Sequence, residues 1–193
     1  MTSQLGHLSL IFSIFFSIFI IFRSLNFYFS KKIIFKNSLF SLIFLQLLFV
    51  IVSFLCLLTA FLYSDFSNVT VYNNSHTSKP LFYKISGVWG NHEGSLLLWL
   101  LVLTFFLFIF VLSSKKVENK YKSLTIVFQE IIIFGFLLFI VFTSNPFEYL
   151  YPTPNEGLGL NPILQDPALA IHPPILYLGY VGSSLIFSSS LSA

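Results

Sequence analysis

Long apolar runs constrain this 193-residue chain more than any other feature. A membrane-spanning helix needs roughly 20 mostly apolar residues. Only 9% of the residues are charged, against about 25% in soluble domains, so the chain cannot cover a water-soluble surface. We therefore predict an all-α polytopic membrane protein with about five transmembrane helices, and we exclude a soluble enzyme and a nucleic-acid binder. The predicted runs cover residues 8–22 (extending to Leu5), 39–63, 95–112, 124–143 and 174 to the C-terminus.

Basic residues predict the topology, because loops on the cytoplasmic type of face retain Lys and Arg. Two loops hold eight of them, whereas the segments on the opposite side hold only Lys79 and Lys84. We therefore expect the N-terminus, segment 64–94 and segment 144–173 to share the outer face. The eight are Arg23, Lys31, Lys32, Lys36, Lys115, Lys116, Lys120 and Lys122.

These features divide the chain into five parts. Two transmembrane hairpins, 1–63 and 95–143, alternate with the outer-face loop 64–94 and a proline-rich, ordered outer-face segment, 144–173. Residues 174–193 form the start of a fifth helix, which we expect to be truncated.

The first group of candidate functional residues lies directly before the third run. Three glycines, a histidine and a carboxylate fall within ten residues there. A purely structural interpretation is available, with Asn91 as a helix N-cap, Trp89 as an interfacial anchor and Glu93 at the positive end of the helix dipole. His92 then makes a structural hydrogen bond, or alternatively helps to dock a partner. The group is Trp89, Gly90, Asn91, His92, Glu93 and Gly94.

The second group lies in the proline-rich segment. Asp166 and Pro167 have the pattern of an N-cap followed by the first helical residue. We expect a short helix that ends at His172, because a residue before proline is pushed out of the helical region, and we expect Pro173 and Pro174 to start the fifth helix. A histidine at such a corner suits an axial haem or metal ligand. The structural alternative is a histidine that hydrogen-bonds a carbonyl at a helix break.

Glu130 interrupts the fourth apolar run. A carboxylate inside a membrane helix is a functional candidate, although a structural hydrogen bond to a neighbouring helix explains it equally well. The single cysteine, Cys56, excludes a disulfide framework and a CxxC site within this chain.

Both motif groups resemble the CcmF/NrfE family, the haem lyase component of multi-subunit cytochrome c maturation. The matching segments are WGNHEGS followed by LLLW at residues 89–99, and LNPILQDP at 160–167 with HPPILYLGY at 172–180. Together they cover roughly a fifth of the chain. The resemblance implies a haem-handling role in which His172 is an axial ligand of the haem iron, with Asp166, Pro173, Pro174 and Tyr177 supporting it.

The resemblance also implies cofactors and partners. The family takes b-type haem from a CcmE-type chaperone and attaches it by thioether bonds to the CxxCH motif of apocytochrome c, together with CcmH/CcmG-type thiol proteins. Neither zinc nor a nucleotide is expected. Part of the family pattern is missing, because the tryptophan-rich WGxWWxWDPVEN loop and a second external histidine are not in this sequence. We therefore expect the active centre to be completed by another polypeptide.

The composition suggests a compartment. Heavy use of Phe, Ile, Lys, Asn and Ser fits a mitochondrially encoded split form, placed in the inner membrane with its motif loops facing the intermembrane space. A bacterial inner-membrane protein with these loops in the periplasm is the alternative. For function, the alternative is a structural or ion-conducting subunit of a respiratory complex, with Glu130 as a proton relay.

Overall fold

The computed structural model describes residues 1–30, 36–114 and 117–193. Within these ranges, five helical stretches are long and apolar enough to cross a membrane, which confirms the predicted all-α membrane architecture. The helices are α1 (Thr2–Ser30), α2 (Lys36–Leu62), α3 (Val69–Asn74), α4 (Leu81–Gly87), α5 (His92–Ser113), α6 (Asn119–Phe142), α7 (Pro167–Tyr180) and α8 (Ser183–Ser190), with a 3₁₀ turn at Pro162–Gln165.

Part of the topology prediction falls on residues that are not described. Lys31, Lys32, Lys115 and Lys116 lie outside the described residues, as does the side chain of Lys36. The side of the membrane on which each loop lies therefore stays a prediction.

The transmembrane core is built around α1 and α6. Helix α1 packs against α2 and α6, α2 packs against α5, and α5 and α8 pack against α6. The side of α1 that faces its neighbours carries buried serines, which allow two helix backbones to approach closely. Ser9 and Ser13 donate their hydroxyl hydrogens to the carbonyls of Leu5 and Ser9, at 2.8 and 2.9 Å. Their polar groups are thus satisfied within α1 itself.

The chain between α2 and α5 is folded, and it is tied to the segment after α6. The Val69 N–H donates to the Glu148 carbonyl at 3.0 Å, and the Leu150 N–H donates to the Ser67 carbonyl at 2.8 Å. Asn68, which lies in the chain between the bonded residues Ser67 and Val69, has a buried side chain.

Asn68 fixes three parts of the chain to one another. Its Oδ1 caps α3 by accepting from the Val71 N–H at 3.0 Å. Its Nδ2 donates to the Pro146 carbonyl at 2.9 Å and to the Ser3 hydroxyl at 3.2 Å. The start of α1, the α2–α5 connection and the segment after α6 therefore lie at one end of the bundle, which we call the outer end.

The predicted helix break at His172 is wrong. Helix α7 begins at Pro167 and continues through Pro173 and Pro174 to Tyr180, so the fifth span starts seven residues earlier than the expected position. A turn then separates α7 from α8. In the most apolar part of this span only 11% of the residues are buried, against 33–44% in the other four spans. Most of the α7–α8 surface is therefore uncovered.

Candidate functional site

The turn between α4 and α5 is closed by its own side chains. Asn91 accepts a hydrogen bond at Oδ1 from the Gly94 N–H at 2.7 Å, which confirms the predicted N-cap. Its Nδ2 donates to the carbonyls of Gly87 and Val88, at 2.7 and 3.2 Å. A Cβ atom at Gly94 would lie 1.6 Å from the Val88 carbonyl oxygen. Only glycine therefore fits at this position without a backbone shift.

Trp89 connects this turn to α7. Its indole Nε1–H donates to the Ala170 carbonyl oxygen at 2.8 Å. In an uninterrupted α-helix that oxygen would accept from the N–H of residue 174, but Pro174 has none. The indole supplies the donor that Pro174 lacks, so the Ala170 carbonyl is satisfied although α7 continues past His172.

Residues of the two motif groups line an open cavity of about 390 Å³ at the outer end. Tyr177 closes one side of it, where its hydroxyl donates to the Ser95 hydroxyl at 3.4 Å. The Ser95 hydroxyl in turn donates to the Trp89 carbonyl at 2.7 Å. Of the predicted site residues, the cavity brings together Trp89, Gly90, Asn91, His92, Pro173 and Tyr177.

His92 lies at the rim of this cavity with an exposed side chain. Its Nε2 is 3.1 Å from the Ser144 hydroxyl, and its ring stands edge-on to Phe139, with 6.5 Å between the ring centroids. This contact joins the start of α5 to the end of α6, as the structural interpretation expects. Neighbouring Glu93 lies in the first turn of α5. A docking role for His92 stays a prediction.

His172 does not line the cavity. Its side chain is exposed on the uncovered side of α7, among the exposed apolar side chains of Ile171, Ile175 and Leu176. Asp166 fixes the start of this helix, since its Oδ1 accepts from the N–H groups of residues 168 and 169 at 2.9 and 3.0 Å. Asp166 is thus the N-cap that the sequence predicts, and it positions the helix that carries His172.

Glu130 does not line this cavity; it is buried among α1, α2 and α6. Its Oε2 accepts hydrogen bonds from the Ser17 hydroxyl at 2.7 Å and from Gln46 Nε2 at 3.1 Å. The adjacent Gln129 contacts α8, accepting from Ser188 at 2.9 Å and donating to Ser184 at 3.0 Å. The sequence left the partners of Glu130 open, and the structure identifies them on α1 and α2.

Two charged groups at the outer end have shifted pKa values. Hydrogen bonds from the Thr77 side chain and backbone lower the pKa of the Glu156 carboxyl to about 2. Burial lowers the pKa of the Lys79 ammonium to about 8. Glu156 also lies 3.8 Å from His76, so its contacts with His76 and Thr77 join the α3–α4 segment, the chain from α3 through α4, to the proline-rich segment.

Sequence reasoning missed the contacts that the motif residues make. The Ala170 carbonyl accepts from Trp89 and the Ser144 hydroxyl contacts His92, and neither Ala170 nor Ser144 stands out in the sequence. Ser95 lies in the WGNHEGS motif, but its contact with Tyr177 was not predicted. A signal existed for the Ala170 contact, because a proline at position 174 leaves the carbonyl of residue 170 without its helical donor. In the described ranges, no three His, Cys, Asp or Glu side chains form a group that could hold a metal ion.

The comparisons with known proteins agree with these motifs. The model of the family described as "Cytochrome C assembly protein" matches residues 89–193. The chain is 52% identical over 146 residues to the cytochrome c-type biogenesis protein CycK of Rhizobium meliloti (strain 1021), with 76% of this chain and 22% of that protein covered. It is 43% identical over 156 residues to the cytochrome c-type biogenesis protein CcmF of Escherichia coli (strain K12), with 79% and 24% covered.

A third relative and a solved structure extend the comparison. NrfE of Haemophilus influenzae, also described as a cytochrome c-type biogenesis protein, is 42% identical over 134 residues, which cover 69% of this chain and 21% of that protein. A solved structure described as "Cytochrome c Heme Lyase CcmF" superimposes with a TM-score of 0.84 at 26% identity, covering the whole chain and 30% of that structure. The chain thus spans less than a quarter of the length of these curated relatives.

Proposed function

The chain belongs to the CcmF/NrfE family of cytochrome c assembly proteins, and on that premise we propose that it is a membrane part of the cytochrome c haem lyase. In this proposal the chain helps to hold haem at the outer membrane surface while the haem is attached to apocytochrome c. Haem is the substrate in transit and not a resident cofactor.

The position of His172 carries the proposal. Its imidazole is exposed and receives no hydrogen bond from any residue in the described ranges, so a ring nitrogen is available to iron. The exposed apolar side chains of Ile171, Ile175 and Leu176 beside it suit the apolar faces of a porphyrin. A rigid helix capped by Asp166 fixes the depth of this imidazole relative to the outer surface.

In the proposed reaction, the main task of this chain is to position the haem. In thioether formation, a cysteine sulfur of the CxxCH motif bonds to one vinyl carbon of the haem, and the thiol hydrogen ends on the other vinyl carbon. No net oxidation or reduction occurs in this addition. Holding the vinyl groups near the thiols supplies several kcal/mol of the barrier reduction by proximity alone.

The uncovered α7–α8 surface supports the proposal that additional protein helices pack against this chain. In the most apolar part of this span only 11% of the residues are buried, so most of its surface is free to pack against further helices. We propose that the remainder of the family fold, on this polypeptide or on another, packs there and completes the haem site. A CcmE-type chaperone, CcmH/CcmG-type thiol proteins and apocytochrome c would approach the same outer end.

The proposed location is an inner membrane. Loops at the outer end would face the mitochondrial intermembrane space in a mitochondrially encoded protein, or the periplasm in a bacterial one. The heavy use of Phe, Ile, Lys, Asn and Ser is the argument for the mitochondrial location, whereas the relatives named above are bacterial.

The test is a mild-detergent pull-down of the full chain, with absorbance spectra and mass spectrometry of the purified complex. We expect a Soret band that co-purifies with a protein segment bearing the tryptophan-rich loop, and we expect His172→Ala to abolish or strongly reduce that band. His76→Ala is the matched control, because His76 is another outer-end histidine whose partners, Ser78 and Glu156, are local surface groups.

Two results would overturn the proposal. One is an absence of haem together with respiratory-complex subunits as the main co-purifying proteins, which supports the structural or ion-conducting alternative. The other is an equal loss of haem in the His172 and His76 variants, which would show that the band reports folding of the outer end and not axial ligation.

A further inference from the structure

A carboxyl group in the middle of the bundle is not used by the proposed haem site. Glu130 is fully buried, and so are Ser17 and Gln46, the two side chains that contact it. The chain has seven acidic residues. The other six are all at least partly exposed, so Glu130 is distinct from them in its surroundings.

The hydrogen bonds around Glu130 are unevenly distributed. Its Oε2 accepts from both Ser17 and Gln46, whereas its Oε1 has no partner among the described residues. Gln46 is also half satisfied. Its Nε2 donates to Glu130 Oε2, but its Oε1 accepts no hydrogen bond from a described residue. One oxygen of Glu130 and one oxygen of Gln46 are therefore buried without a hydrogen-bond partner, although one hydrogen bond already joins the two side chains.

An ionised carboxylate explains this arrangement poorly. Both of its oxygens are acceptors only, so it can satisfy neither of the two leftover atoms. An unpaired charge in the apolar interior of a membrane protein is also strongly unfavourable. The two partners of Glu130 are neutral donors, and neither balances a negative charge.

The other ionisable residues on the surrounding helices are separated along the helix axes from Glu130 and its two partners. At 1.5 Å rise per residue, the nearest in sequence to Ser17, Gln46 or Glu130 is about 9 Å away along the helix. On α1 these groups are His7, Arg23 and Tyr28, on α2 Lys36 at the first position and Cys56, and on α6 Lys120, Tyr121 and Lys122. Helix α5 carries His92 and Glu93 in its first turn, and α8 carries none.

We propose that Glu130 binds a proton at Oε1 and stands in the folded protein as a neutral carboxylic acid paired with Gln46. The acid O–H donates to Gln46 Oε1 while Gln46 Nε2 donates to Glu130 Oε2, so the two groups form a reciprocal acid–amide pair. Every polar atom of both side chains then has a partner. Ser17 adds a third hydrogen bond, and the proton-binding site connects α1, α2 and α6.

Infrared spectroscopy of the full chain tests this proposal directly. Ordinary Asp and Glu side chains are ionised at pH 7, so a C=O stretching band of a protonated carboxylic acid indicates a carboxyl group in an unusual environment, and of the seven acidic residues Glu130 is the one that is fully buried. We expect such a band in an ester-free detergent, shifted in D₂O and in ¹³C-glutamate-labelled protein. It should be missing in Glu130→Gln, which keeps the side-chain shape and can still pair with Gln46.

Partner substitutions sharpen the assignment. Gln46→Leu removes the amide that bonds both carboxyl oxygens, so the band should move to higher frequency. Ser184→Ala is the control, because Ser184 bonds the neighbouring Gln129 and not Glu130, and it should leave the band in place. The proposal fails if labelled wild-type protein at pH 7 shows only carboxylate bands, or if the acid band persists in Glu130→Gln. The labelled wild-type spectrum alone decides the question if that variant does not fold.

Discussion

The indole–carbonyl bond across the two motifs allows a quantitative test of how α7 tolerates its prolines. Trp89→Phe removes the Nε1–H donor and keeps an aromatic ring, which leaves the Ala170 carbonyl without a partner. Ala170 is 4% exposed, which limits the access of water to this carbonyl. An unsatisfied buried polar group costs about 1–3 kcal/mol, and we expect the free energy of unfolding to fall by that amount.

The second half of the test restores the helical donor. Pro174→Ala returns an N–H at the position that normally bonds the carbonyl of residue 170. In that background Trp89→Phe should cost under about 0.5 kcal/mol, because the carbonyl no longer depends on the indole. The double-mutant cycle should therefore give a coupling energy of about 0.5–3 kcal/mol between two residues 85 positions apart.

The assay is denaturant unfolding of the full chain in detergent, followed by far-UV circular dichroism so that loss of one tryptophan does not alter the probe. Pro174→Ala alone has its own effect on the unfolded chain, and the cycle subtracts it. Equal costs of Trp89→Phe in the two backgrounds would refute the reasoning, because the indole would then stabilise the protein by packing and not by replacing the proline's missing donor.

Three further predictions concern single residues. Gly94→Ala should sharply lower the yield of folded protein, because the new Cβ would collide with the Val88 carbonyl. Gly135→Ala, whose Cβ meets nothing within 4 Å, should keep or raise the yield. Fluorescence-detected gel filtration in detergent measures both yields. The Glu156 contact should hold the α3–α4 segment at neutral pH and weaken as pH falls from about 4.5 towards the folded-state pKa of about 2; proteolysis with an acid-tolerant protease should show this pH dependence, and Glu156→Gln should remove it. Lys79 should react with an amine reagent at pH 8 faster than free Nα-acetyl-lysine in the same solution. About half of a group with a pKa of about 8 is neutral there, against about 0.3% of an amine at the usual value of 10.5.

Local sequence signals predicted the parts of the structure that depend on neighbours in the chain. The four long spans follow from hydropathy, and the caps at Asn91 and Asp166 follow from short side chains placed directly before a helix. In each case the donor that is satisfied lies within three residues. The short range of these bonds is what makes them readable from the sequence.

The error at His172 has the opposite cause. Proline rules describe what a helix loses locally, but the donor that compensates for Pro174 comes from Trp89, far away in the sequence. The partners of Glu130 were equally hidden, because Ser17 lies 113 residues and Gln46 lies 84 residues away. A carboxylate in an apolar run shows that a partner is needed, and only the packing of the helices shows which one.

The sequence positions of Ser17, Gln46 and Glu130 imply an order of assembly during synthesis. A ribosome delivers α1 and α2 before α6, so both donors are already in the bilayer when the carboxyl group arrives. Ser9 and Ser13 bond to their own helix, and α1 can therefore wait in lipid without unsatisfied hydroxyls at those two positions. Helix α6 carries Glu130, whose burial in lipid without partners is unfavourable. It enters the membrane last of the three helices, when Ser17 and Gln46 are already present to donate hydrogen bonds to it.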